Sequence, residues 1–176
     1  MKKRRKQVII LFIIGLIVWR VWPAALIFTG FNLKVSSDFT LLPKIIPPAE
    51  SPKQVHPGLS HPFFKSSKLW SEIIFKPRKI IHGHGFSPVK EKGEVVTSMA
   101  SILADQSTFQ QWTGTKMCGG FHADYYFKWV IDSKVWEVLL CMGCHEAIIF
   151  HDGSELRCDL SRDAAKRLET EIKKGG

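Results

Sequence analysis

No acidic residue occurs in positions 1–28 of this chain, and positions 8–18 carry no charge of either sign. No cysteine closely follows the apolar stretch, which excludes lipoprotein processing. The small residues that signal peptidase needs at alternate positions are also missing, since Trp22 and Pro23 precede Ala24-Ala25. Further along, no phosphate loop, carboxylate pair or nucleophile–base pair rises above background, so a binding or structural role is expected ahead of an enzymatic one. Internal repeats are absent. A second C-x-x-C or an H-x-x-H is missing too, which weakens any zinc reading of the cysteines.

The N-terminus carries a membrane signal. Lys2-Lys3-Arg4-Arg5-Lys6 precede an apolar segment at 8–28, about the 20 residues that span roughly 30 Å of hydrocarbon. Arg20 can snorkel to the headgroups, and Trp19 and Trp22 form an interfacial belt beside it. An uncleaved single-pass anchor is therefore expected, with a cleaved signal or a buried soluble helix as alternatives. The basic run holds the N-terminus in the cytoplasm and places the remainder outside it, with the anchor in the cell inner membrane. Six of the 25 Lys and Arg lie in 1–28, leaving 19 against 16 acids elsewhere. The basic balance is thus mainly a topology signal, and no nucleic-acid partner is expected.

Between 29 and 68, Pro43, Pro47, Pro48, Pro52, Pro57 and Pro62 interrupt every apolar group. This composition reads as an extended, partly polyproline tether. A domain is expected over 69–176. Trp70 to Lys76 has strand composition, Ile80-Ile81 leads into a glycine-rich loop, and Val95, Met99, Ile102 and Leu103 share one helix face. Asp124–Ile131 and Val135–Leu140 flank a short link at 132–134 and read as a hairpin. Asp152-Gly153 is a tight-turn pair between 147–150 and 155–160. Ser161 caps a final helix with Ala165, Leu168 and Ile172 on its apolar stripe. The order strand, helix, three strands, helix predicts an α+β domain whose two helices cover one face of a small antiparallel sheet.

The segment Cys141-Met142-Gly143-Cys144-His145 has the C-x-x-C-H spacing of covalent haem attachment, with Met117 or another His as sixth ligand, since Met142 lies inside the motif and could not reach across the ring. It sits inside the apolar run 138–150, which reads as buried strand and opposes that reading. If the hairpin turns at 132–134, Cys141 faces Tyr125 and Cys144 faces His122, with Cys118 just beyond. A bulge at Gly143 would bring both sulfurs to one side. The expected result is one cluster of Cys118, His122, Cys141 and Cys144. Structural cysteines with one or two disulfides are the first reading and a zinc site at these four residues is the second. Haem at Cys141, Cys144 and His145 and a thiol redox pair complete the alternatives. His82-Gly83-His84 as a metal pair, or Cys144-His145 as nucleophile and base, carry less weight. The aromatic group from Tyr125 to Trp136 reads mostly as core packing.

Cys118-Gly119-Gly120-Phe121-His122, followed by the strand 138–140 and Cys141-Met142-Gly143-Cys144, resembles a group of uncharacterised bacterial proteins. The likeness covers roughly 70–172. It implies that the three cysteines are the shared feature and that His145 is incidental, and it brings no activity with it.

Overall fold

The computed structural model describes residues 10–12, 14–15, 35–59, 68, 71–72, 78–88, 94–114, 116 and 120–175. The protein is α+β, built on a six-stranded antiparallel sheet. Four consecutive strands form its centre: β5 (Tyr125–Ile131), β6 (Lys134–Cys141), β7 (Glu146–His151) and β8 (Ser154–Leu160). The edge strands are β1 (Gln54–Pro57) beside β5 and β4 (Phe109–Gln111) beside β8, giving the order β1-β5-β6-β7-β8-β4. A separate hairpin pairs β2 (Lys79–Ile81) with β3 (His84–Phe86).

Side chains alternate across this sheet, and both faces are covered. Val138 and Leu140 of β6, Ala147 and Ile149 of β7, and Leu156, Cys158 and Leu160 of β8 face one core. Three helices complete that core: α1 (Leu42–Ile45), α2 (Glu94–Leu103) and α3 (Arg162–Gly175). The two longer helices follow the expected stripes, with Met99, Ile102 and Leu103 from α2 and Ala165 and Leu168 from α3 turned to the sheet. Ser161 Oγ accepts from Ala164 N at 3.4 Å, and Asp163 and Lys173-Lys174 complement the α3 dipole. Leu139, Cys141 and Ile148 point the other way, under Phe86 of the β2–β3 hairpin and Phe121 and Ala123 of the loop before β5.

Turn chemistry sets the registers. Asp132-Ser133 has φ of 47° and 64°, Asp152-Gly153 51° and 75°, and His82-Gly83 47° and 76°. Positive φ at both central residues marks two-residue type I′ turns, whose twist matches the flanking strands. The β5–β6 link is therefore two residues long and not three. Tyr125 pairs with Leu140, and Cys141 lies one place further on, beside Asp124 rather than Tyr125. The segment marked by Gly83, Gly85 and Pro88, expected as a loop, contains the tight turn and second strand of the β2–β3 hairpin.

Two other expectations change. The supposed tether contributes to the domain from Val35 to Leu59: Leu42, Ile45 and Val55 are core residues, and β1 completes the sheet. Its prolines sit where no amide proton is needed, Pro43 in the first turn of α1 and Pro57 at the end of an edge strand. Trp129 Nε1 donates to the Glu50 carbonyl at 2.7 Å and fixes this segment to β5. Within the strand expected at 70–76, Ser71 and Glu72 are helical, and the other positions lie outside the described residues. Most of the expected span 8–28 also lies outside them. Ile10, Leu11, Phe12 and Ile14 are helical and solvent-exposed. Among the described residues no helix is long and apolar enough to cross a membrane.

Candidate functional site

The cysteine segment is a turn, with no bulge. β6 ends at Cys141, β7 begins at Glu146 opposite it, and residues 142–145 reverse the chain between them. The sequence hides this reversal because the sheet is buried on both faces. Every position from Val138 to Cys141 and from Glu146 to Ile149 is buried, so no alternation marks the strand ends. Gly143 has open space where a side chain would go, and the positive φ of the turn falls instead on His145, at 51°.

The turn gathers Cys141 and Cys144 into the second-face core, with His122 buried nearby. The Cys144 amide donates to Cys141 Sγ at 3.2 Å, and the Met142 amide donates to Asp124 Oδ2 at 2.7 Å. His122 Nδ1 lies 3.3 Å from Asp124 Oδ1. Cys144 is disulfide-bonded, whereas Cys141 and Cys158 are free thiols. A disulfide sulfur carries no proton, so the 3.3 Å approach of Cys144 Sγ to the Gly120 carbonyl is a contact and not a hydrogen bond. Cys118 lies outside the described residues. Burial pushes the Cys141 thiol up to about 12 and the Cys158 thiol higher still, against the thiolate character a nucleophile needs.

This geometry bears on each cofactor reading. His145 turns to the helix side, where Nε2 is 3.5 Å from Glu169 of α3, while Cys141 packs on the opposite face. A c-type haem needs both cysteine sulfurs and the following imidazole at one porphyrin, so these residues do not fit that group. A zinc site at Cys118, His122, Cys141 and Cys144 would require Cys144 as a thiolate, which its disulfide precludes. Among the described residues no group of three or more His, Cys, Asp or Glu is disposed to hold a metal ion. His82 and His84 do not form the suggested pair either, since His82 turns to Glu137 and Phe150 and His84 meets Phe121 edge-on.

Two polar networks that the sequence did not reveal occupy the same face. In the first, Glu137 accepts from Tyr126 Oη at 2.5 Å, His82 Nε2 at 2.9 Å and Lys128 Nζ at 3.1 Å. These bonds, the one from His82 foremost, hold the carboxyl at about 2, and burial beside this carboxylate raises the Tyr126 hydroxyl. In the second, the fully buried Glu146 accepts from Arg157 at 2.6 and 3.1 Å and from Trp112 Nε1 at 3.2 Å. Arg157 also stacks over the Trp112 ring at 4.6 Å. Next to it, Asp159 accepts from Thr113 Oγ1 at 2.7 Å and Lys116 Nζ at 2.8 Å. His84 is held neutral, its pKa lowered to about 4 by burial first and by the neighbouring imidazoles of His122 and His82 second. The visible signal in the sequence was a charged residue inside an otherwise apolar strand, as at Glu137, Glu146 and Arg157.

Comparison with protein-family models, with curated proteins and with solved structures gives no match.

Proposed function

We propose that this chain is a single-pass inner-membrane protein with a cytoplasmic N-terminus, whose α+β domain lies outside the cytoplasm and serves as a non-catalytic binding or structural module. The observation that carries the reading is the disulfide at Cys144, because such bonds persist in oxidising compartments and are rare in the cytosol. The exposed apolar residues Ile10, Leu11, Phe12 and Ile14 behind the basic run support the anchor. A short stretch of chain joins the anchor to the domain, which now begins near Val35. The likeness to uncharacterised bacterial proteins with the same three cysteines fits this reading and adds no activity to it.

The test combines topology and thiol counting. Alkaline carbonate should leave the full-length protein in membranes, and protease added to spheroplasts should digest the C-terminal domain. Maleimide labelling after denaturation should count two thiols without reductant and four with it. Release by carbonate would refute the anchor, a protected domain would refute the orientation, and four thiols without reductant would refute the bridge. A Soret band surviving acid-acetone extraction, or stoichiometric zinc in protein purified without chelator, would replace this reading by haem or metal binding.

A further inference from the structure

The β2–β3 hairpin is a separate two-stranded sheet laid over the second face of the central one. Its backbone is tied to the end of β1, where Leu59 N donates to the Gly85 carbonyl at 3.0 Å and Ser87 N to the Pro57 carbonyl at 2.8 Å. Phe86 anchors it, fully buried against Tyr126 with ring centres 5.6 Å apart. Four of the chain's seven histidines lie along this seam. His82 lies flat on Phe150, with ring centres 3.9 Å apart, and His84 meets the Phe121 ring at 5.5 Å. His56 stacks on Tyr126 at 6.1 Å and gives its Nδ1–H to the Ser87 carbonyl at 2.9 Å. His122 stands beside Asp124. His56, His84 and His122 are buried.

A seam closed by imidazoles is sensitive to acid, because a buried ring that gains a proton takes on a charge away from water. The surroundings decide which ring is the weak point. A proton gained by His82 meets the Glu137 carboxylate at 2.9 Å, and one gained by His122 meets Asp124 at 3.3 Å. His84 is only 3% exposed, and the neighbours that disfavour its charge include His82 on its own hairpin and His122 on the loop before β5. The Phe121 ring that it meets also carries the Arg157 guanidinium of β8 at 5.6 Å, itself paired with Glu146 of β7. On the sheet below, β1 presents His56, β5 Tyr126 and Lys128, and β6 Glu137 and Cys141, with Tyr126 and Lys128 both bonded to Glu137.

We propose that the β2–β3 hairpin is an acid-sensitive cover, released from the sheet when His84 gains a proton, while the four central strands stay paired and Tyr126 and Leu139 become exposed. Burial holds His84 at about 4 in the closed state against an ordinary 6.5. Closure is therefore fully stabilised above about pH 6.5, and that stabilisation is lost as the pH falls toward 4. Release is local because side chains hold the hairpin to the central strands, whereas those strands are joined to one another by full ladders of hydrogen bonds. The inference concerns the domain alone and goes beyond its role as a binding or structural module.

Amide hydrogen exchange of the full chain in detergent micelles, read by mass spectrometry at pH 7 and pH 5 with intrinsic rates corrected for pH, tests it. Peptides covering 79–86 are expected to lose about twentyfold in protection at pH 5, while those covering 135–141 and 146–150 change less than about threefold. Glu137, held at about 2 in the closed state, keeps its charge at pH 5, so the change reports on the imidazoles. In His84→Gln, and in His84→Met as a second neutral replacement, the hairpin is expected to keep its protection at pH 5 within about threefold. The proposal is overturned if the wild-type hairpin is equally protected at both pH values, or if the central strands lose protection in parallel with it. It is also overturned if either folded variant opens at pH 5 as the wild type does.

Discussion

Replacing Glu137 by Gln removes one charge from the second face and leaves its shape intact. The carboxylate lies at the meeting point of Tyr126, His82 and Lys128, and its pKa is held at about 2 instead of 4.5. Because the folded value is the lower one, the associated stabilisation is complete above about pH 5 and is lost as the pH falls toward 2. At 1.36 kcal/mol per pH unit, the depression sets an upper bound of about 3.4 kcal/mol. The Glu137 and His82 side chains are 18% and 30% exposed, so water screens part of the attraction. The expected loss in Glu137→Gln at pH 7 is about 1–2 kcal/mol, or a drop of roughly 3–8 °C in Tm. Urea unfolding of both proteins from pH 7 down to pH 3 reads the difference directly. Asp38, Asp105 and Glu171 also have lowered pKa values, but they titrate alike in both proteins and cancel. The gap should narrow steadily below about pH 5. A gap that stays constant across this range would mean that Glu137 acts through packing, and the electrostatic account would be wrong.

Four further outcomes follow from the packing. Glu146→Ala should cost about 3–5 kcal/mol in chemical denaturation, because it strands the Arg157 guanidinium in a buried site, and a loss below about 1 kcal/mol would show that water reaches the pair. Gly58→Ala should destabilise by about 3 kcal/mol or prevent folding, since its Cβ would lie 2.1 Å from the Ala123 carbonyl oxygen; Gly143→Ala, facing open space, should be neutral, and equal thermal stability of the two variants would contradict the β1 docking. Iodoacetamide at pH 8 should alkylate neither Cys141 nor Cys158 in the folded protein, and rapid native labelling of Cys141 by mass spectrometry would refute its burial. Ser133→Gly should raise stability by up to about 1 kcal/mol by relieving a φ of 64° in the β5–β6 turn, a gain measurable in urea and reversed in sign if the turn were not left-handed.

What could be read from the sequence was set by how local each feature is. α2 and α3 announce themselves through side chains three and four residues apart, and Asp152-Gly153 is a turn signal carried by two neighbours. Asp132-Ser133 is a weaker pair, so the sequence suggests a link one residue wider than the two-residue turn, and that one residue shifts the whole β5–β6 register. β1 gave no signal, because four residues ending in Pro57 become a strand only through pairing with Tyr125 to Lys128, some seventy positions later. The cysteine turn failed for a different reason. Alternation identifies a strand when one face meets water, and here the β2–β3 hairpin and the loop before β5 cover the face that would otherwise be polar. With both faces buried, 138–150 became one apolar run, and its reversal at 142–145 left no mark in hydropathy. That second cover also explains the polar networks. A sheet face that carries Glu137, Glu146, Arg157 and Asp159 can be buried only if each charge meets a partner, and the partners His82, Trp112 and Lys116 come from segments outside the four-stranded centre. Pairing of this kind is invisible along the chain and follows from the fold alone, which is why the network around Glu137 had no counterpart in the sequence pattern.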